Sequence, residues 1–219
     1  MLVAQLIQTD YPTLQLSDKV SFALQLMEDY EVLDLPVVMD EIFTGSISKD
    51  DLLDADEEVT IATLQNQFNS SVVKRDEYFL SALKLLVEKD TSLIAVASDA
   101  KEYLGVVTAS ALLEQLSIYV GANEPGGIIV LEIEKRNYSF GEISRLVETN
   151  DAYITQLNSY TEASTGLVIV SVKVNKMEIS DIIATFHRYE YVVRYYFGEE
   201  QYTNELKDNY NHLMSYLNI

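Results

Sequence analysis

Residues 22–53 read FALQLMEDYEVLDLPVVMDEIFTGSISKDDLL, and residues 81–113 read SALKLLVEKDTSLIAVASDAKEYLGVVTASALL. Laid over each other, the two stretches agree at a series of corresponding positions. Ala23-Leu24 fall on Ala82-Leu83, Leu26-Met27 on Leu85-Leu86, Val37 on Val96 and Asp40 on Asp99. After one inserted residue, Gly45 falls on Gly105 and Leu52-Leu53 on Leu112-Leu113. The offset of about 60 residues is that of a duplicated domain, not of a short solenoid repeat.

Each copy reads as the same series of elements. A short extended piece, Thr13-Leu14 or Val72-Val73, comes first. A helix follows over residues 19–29 or 77–89. Val20, Ala23, Leu24 and Met27 in one copy, and Phe79, Leu83, Leu86 and Val87 in the other, recur at helical spacing. Ser17 and Asp76 are the expected N-caps of these helices. Strands are expected at 34–39 and 93–97, then, past a turn holding an acid, at 43–47 and 103–107. A last helix opens at Ser48 or Thr108, whose hydroxyls are placed to cap it. The pattern is β-α-β-β-α, twice. The acidic run DADEEV at 54–59 between the copies reads as a solvated loop or helix start, because a metal site needs ligands that converge in space.

Composition narrows the class. The 219 residues are 48% hydrophobic, enough for a substantial core, and carry a net charge of −20. So acidic a surface repels phosphate backbones and anionic membranes, so neither nucleic acid nor a membrane is an expected partner. With no cysteine there are no disulfides, thiolate metal sites or thiol nucleophiles. The opening residues MLVAQLIQTDYPTL lack the features of a signal peptide, and no apolar run reaches the roughly 20 residues of a membrane span, so the cytoplasm is the expected location.

The repeats resemble cystathionine-β-synthase (CBS) domains. The residues that carry the resemblance are YPTL at 11–14, the amphipathic helix, LPVV at 35–38 and TGSISKDDLL at 44–53. The family signature, a glycine followed at fixed spacing by Ser or Thr and then Asp, is present as Gly45, Ser48 and Asp51. In the second copy it reads Gly105, Thr108 and Ala111. The resemblance covers about residues 1–118 and implies a cleft for an adenosine compound such as AMP, ATP or S-adenosylmethionine. By it, Ser48 and Asp51 would take the ribose, Thr13 the entry-strand position, and Pro36 and Val37 the apolar wall, with Lys49 beside a phosphate. The second cleft would use Val73, Gly105 and Thr108, with Lys74 and Arg75 facing a phosphate, but Ala111 cannot accept a ribose hydrogen bond and Ala95 replaces the proline. The same residues also have plain structural uses. Ser48 and Asp51 make a good helix start, and Lys74 and Arg75 suit an exposed surface.

From Gly126 the pattern changes. Strands at 128–137, 155–164, 167–175 and 192–197 alternate with helices over SFGEISRLVETN and SDIIATFHRYE, giving βαββαβ, the ferredoxin-like split arrangement. Following a CBS pair, this resembles an ACT domain, and the whole order resembles CBS–ACT proteins of the acetoin utilisation type. ACT domains often hold an amino acid through a glycine after their first strand. Here Tyr138 stands in that place and Gly141 falls inside the helix, which argues for packing or dimerisation instead. Tyr202, Leu206, Tyr210, Leu213 and Leu217 mark a terminal amphipathic helix.

The expected fold class is therefore α/β (α+β): CBS repeats at 1–58 and 59–122, an ACT-like domain at 126–198 and a helix at 199–219. No catalytic centre or metal site is expected. His187 and His212 fall in separate helices, and GANEPGG at 121–127 lacks the lysine and spacing of a phosphate loop. The protein is expected to be a non-enzymatic regulator that needs no cofactor. An adenosine-type small molecule would be its ligand, a homodimer its assembly and a regulated protein its partner. The alternative is an oligomerisation scaffold with degenerate sites.

Overall fold

The structure is a computed structural model, and it describes residues 1–198. It falls into two compact units, Met1–Leu116 and from Ser117 onward. The terminal helix expected at 199–219, and His212 with it, lies outside the described residues.

In the first unit, helix α1 (Val20–Asp29) leads to strands β1 (Asp34–Met39) and β2 (Ile42–Ser48) and the short helix α2 (Lys49–Leu53). The second copy has β3 (Val72–Val73), α3 (Phe79–Lys89), β4 (Leu93–Ala97), β5 (Tyr103–Thr108) and α4 (Ala109–Tyr119). The apolar runs DLPVVM and LIAVA become β1 and β4 because they are short, contain β-branched residues and are buried throughout apart from Met39 at the end of β1. Each repeat closes its own core. Leu14, Val20, Ala23, Met27, Leu35, Val37, Ile47, Leu52 and Ile61 form one; Val3, Val73, Phe79, Ala82, Ile94, Val96, Val107 and Leu112 form the other.

Two members of these cores come from outside their own repeat. Val3 lies ahead of the opening strand of the first repeat yet packs in the second, and Ile61 lies ahead of that of the second yet packs in the first. The exchange is reciprocal. Gln8 pairs with Val106 of β5, and Asn69 pairs with Ser46 of β2. Both conserve the same local device, a glycine without which the crossing chain could not approach. A Cβ on Gly45 would stand 2.6 Å from Cβ of Phe68, and one on Gly105 would stand 2.5 Å from the Gln8 carbonyl oxygen. Near the turn between the strands of each repeat, the backbone of the two copies joins directly. Phe43 N donates to Lys101 O at 2.9 Å and Tyr103 N to Glu41 O at 2.7 Å, a matched pair expected of an internal two-fold. The Phe43 and Tyr103 rings lie against each other there, centroids 6.5 Å apart, beside Ala95 and Ala97.

The expected caps Ser17 and Asp76 are corrected by the structure. The N-cap positions of α1 and α3 are Lys19 and Tyr78, and neither makes a side-chain cap. Backbone carbonyls from distant segments take the free N–H groups instead: Val20 N donates to Val59 O, Ser21 N to Glu57 O and Phe79 N to Met1 O. By contrast Ser48 and Thr108 cap α2 and α4, accepting from Asp51 N at 3.2 Å and Ala111 N at 3.3 Å.

The second unit runs β6 (Ile128–Ile133), α5 (Phe140–Glu148), β7 (Ile154–Thr161), β8 (Val168–Val174), α6 (Ser180–Arg188) and β9 (Val192–Phe197). The strands lie in the order β7-β8-β6-β9, all neighbours antiparallel, which is the ferredoxin-like split βαβ topology. Both helices pack on one face, where Ile129, Leu131, Val170 and Val172 meet Ile143, Leu146, Ile182 and Phe186. Ser139 caps α5, accepting from Glu142 N at 3.3 Å. At the unit's entrance, Gly126 presses on the Val174 carbonyl, which would lie 2.0 Å from a Cβ.

Candidate functional site

Of the first-repeat residues singled out by sequence, Ser48 and Asp51 are in direct contact. Ser48 ends β2 opposite Asp34 of β1, and Asp51 follows in the first turn of α2. The Ser48 hydroxyl donates to Asp51 Oδ2 at 2.6 Å while its oxygen accepts the Asp51 backbone N–H. Hydroxyl and carboxylate thus form one preset unit at a strand end. The carboxylate's second oxygen takes no hydrogen bond among the described residues, so it stays able to accept from a ligand hydroxyl. Lys49 is half-buried beside them and makes no ion pair among the described residues. Thr13 is held one residue from β1, since Leu14 N donates to Pro36 O and Val38 N to Leu14 O, each at 2.8 Å.

Other positions resolve into packing. Val37 is fully buried in the repeat's core, and its carbonyl accepts the Thr44 hydroxyl at 2.8 Å, so it presents no side chain to a cleft. Pro36 is buried opposite Ser46. The space over Gly45 is taken by Phe68.

The second repeat is less well equipped. Thr108 shares its hydroxyl with Ser110 at 3.0 Å and caps α4, but Ala111 offers no acceptor where the first repeat has Asp51. Val73 is buried in the core, and Gly105 lies under residues 7 and 8. The Lys74 ammonium is paired with Asp99, whose hydrogen bond and charge raise its pKa. Arg75 is exposed and makes no ion pair among the described residues.

A polar group between the repeats escaped the sequence reading. Asp34 is buried at the head of β1 and accepts both the backbone N–H of Ser92, at 2.7 Å, and the Ser92 hydroxyl. Tyr11 lies close by, its phenol pushed up to about 12 by burial and then by the Asp34 charge. The Tyr103 phenol is also raised, chiefly by burial and secondarily by Tyr11. The one sequence signal was an acid opening an otherwise apolar run, DLPVVM.

Two cavities of the second unit are lined by described residues. One, of about 470 Å³, is lined by residues that include Glu132, Glu134, Glu142, Tyr189 and Tyr191. Tyr191 Oη donates to Glu142 Oε2 at 2.8 Å, and burial with that carboxylate pushes its phenol up to about 12. Arg145 sits over the Tyr189 ring at 5.5 Å. The other cavity, about 320 Å³, lies on the opposite face of the sheet, under residues 120–122. Among the described residues no group of three or more acids and histidines is placed to hold a metal ion, and no helix is long and apolar enough to cross a membrane. Tyr138 packs against the core of this unit, and a Cβ on Gly141 would meet nothing within 4 Å.

Residues 3–58 match the family model of the CBS domain. Among solved structures, a CBS domain pair/ACT domain protein from Thermotoga maritima is 24% identical, with a TM-score of 0.50. That likeness covers 55% of this chain and 99% of the other. The CBS domains of a transcriptional regulator from Streptococcus pneumoniae are 21% identical over 52% of this chain and 98% of theirs, with a TM-score of 0.47. CBSX2 from Arabidopsis thaliana, solved in complex with AMP, is 21% identical over 54% of this chain and 98% of its own, with a TM-score of 0.47. The fold of the first unit is thus a CBS pair within a mixed α/β chain.

Proposed function

We propose that this chain is a non-catalytic, cytoplasmic regulatory CBS-pair protein that senses an adenosine-type ligand in the first repeat. The observation that carries the reading is the Ser48–Asp51 unit at the end of β2, whose carboxylate keeps an unused acceptor oxygen. A ribose diol presents two adjacent hydroxyls, which suits a carboxylate at a strand end with Lys49 two residues before it. With net charge −20, adenosine, AMP or S-adenosylmethionine is favoured over ATP, whose extra charge is opposed by the protein's field. The ferredoxin-like unit is read as ACT-like on its strand order, serving association of two chains, and the whole as similar to CBS–ACT proteins of the acetoin utilisation type. Ligand binding would then bias how the assembly meets a regulated protein, by no more than its differential affinity for the two states.

Titration calorimetry with adenosine, AMP, ATP and S-adenosylmethionine tests this. Saturable binding is expected with at least one, and Asp51→Ala should weaken it by about 10-fold or more, the usual cost of a hydrogen bond to a charged group. No heat and no shift in melting temperature with any of the four would overturn it.

One observation favours a second reading. Ser48 and Asp51 already satisfy each other, and Ala111 leaves the second repeat without the acid. In that reading the pair is an oligomerisation scaffold, and the same titrations would be silent while the chain still associated.

A further inference from the structure

The smaller cavity of the second unit has a lining unlike the rest of this acidic chain. Its floor is the sheet face turned away from α5 and α6, and its roof is residues 120–122. The roof is tied down at two points. Gln156 Nε2 donates to Tyr119 O at 2.9 Å, and the Lys173 ammonium donates to Gly121 O. The floor's polar residues come as two directly facing cross-strand pairs, Gln156 with Lys173 and Asn158 with Ser171. Val120, Ala122 and Ile128 complete the lining.

Three facts define what fits. The lining holds one ammonium and no carboxylate, in a chain with 35 acidic and 15 basic residues. Glu124 follows in the roof segment but is not part of the lining. The ammonium has three N–H groups and the roof uses one. Among the described residues, the Asn158 amide and the Ser171 hydroxyl make no side-chain hydrogen bond, so both are free for a ligand. The volume of about 320 Å³ sits at the small end of the roughly 300–1,000 Å³ of small-molecule sites.

We propose that this cavity binds a small monocarboxylate with a short apolar tail. The carboxylate sits between Lys173 and Ser171, with the Asn158 amide beside it, and the tail lies against Val120, Ala122 and Ile128. One cation matches one negative charge, so a phosphate dianion is left half-compensated in a negative field. The lining offers no acid to receive an ammonium, so the site discriminates against amino acids. It is independent of the first-repeat cleft in place and in ligand.

Amide correlation spectra of the full chain, titrated at constant ionic strength with sodium isovalerate, leucine or inorganic phosphate, test the proposal. Isovalerate is expected to shift the signals of residues 120–122 and 171–173 saturably. Leucine and phosphate should bind at least about 10-fold more weakly. Lys173→Gln should lose about 10-fold or more, while Lys173→Arg stays within about 3-fold, because it keeps the charge. Asn158→Asp, at an exposed position where folding is not at stake, should weaken binding by about as much by adding a like charge to the rim. The proposal falls if isovalerate gives no saturable shift, if leucine or phosphate binds as well, or if Lys173→Gln and Asn158→Asp both bind like the parent. An adenosine ligand acting at Ser48 and Asp51 would move a different set of signals, so the two readings fail separately.

Discussion

Tyr103 Oη is buried and, among the described residues, has no hydrogen-bond partner. Its ring, not its hydroxyl, joins the repeats by lying against Phe43. Tyr103→Phe keeps that contact and deletes an unsatisfied oxygen, so denaturant unfolding should show a gain of about 1 kcal/mol. The same residue bears on alkaline stability. Tyr11 and Tyr191 are pushed up to about 12, and Tyr103 is raised too, in each case first by burial. Unfolded tyrosines ionise near pH 10. The folded chain therefore holds more protons above that pH, and stability is intact below about pH 10 and falls as pH rises towards 12. Melting temperature followed across this window should drop in the parent and drop less in Tyr103→Phe; a flat profile to pH 12 would contradict the buried phenols. At this scale the sequence was partly legible. Ser48 and Thr108 announce their caps because a cap is a local event three residues long. Asp34 does not, because its partner Ser92 lies on the other repeat, 58 residues away.

Among elements, glycines separate tight crossings from open helix surface. Gly45→Ala would drive a Cβ to 2.6 Å from Phe68, a clash with a side-chain root that cannot swing away, and should cost about 1–3 kcal/mol. Gly141→Ala, inside α5 with nothing within 4 Å, should instead stabilise by about 0.5–1 kcal/mol through helix propensity. Paired denaturation curves check the opposite signs. The strands β1 and β4 could be bounded from sequence because each is a short apolar run with β-branched residues, followed by a turn that carries an acid, Asp40 or Asp99. The starts of α1 and α3 could not. Their first N–H groups are satisfied by carbonyls of residues 57, 59 and 1, so no local cap was required and Ser17 and Asp76 were free to do otherwise. The split βαβ unit was legible as an order of elements, and its sheet order follows from the usual packing of that topology.

Over the whole first unit, the exchanged segments decide which substitution is felt where. Val3→Ala lies at the third residue of the chain, yet it removes a fully buried side chain from the second repeat's core. It should cost about 2 kcal/mol, with amide exchange speeding up in β4 and β5 more than in β1 and β2. Uniform acceleration across both repeats, or none, would refute the exchanged arrangement. This arrangement was not legible, because a duplicated sequence says which segments are equivalent but not which copy each one serves. It also orders events on the ribosome. Residues 59–69 must emerge before the first repeat can close, and Gln8 must wait for Val106 to be made before it has a partner. The first repeat cannot finish folding while it is the newest part of the chain, whereas the second finds the segment it borrows already made. Gln8 stays without that partner while residues 9–105 are made, an interval in which a chaperone or a neighbouring nascent chain could claim its segment.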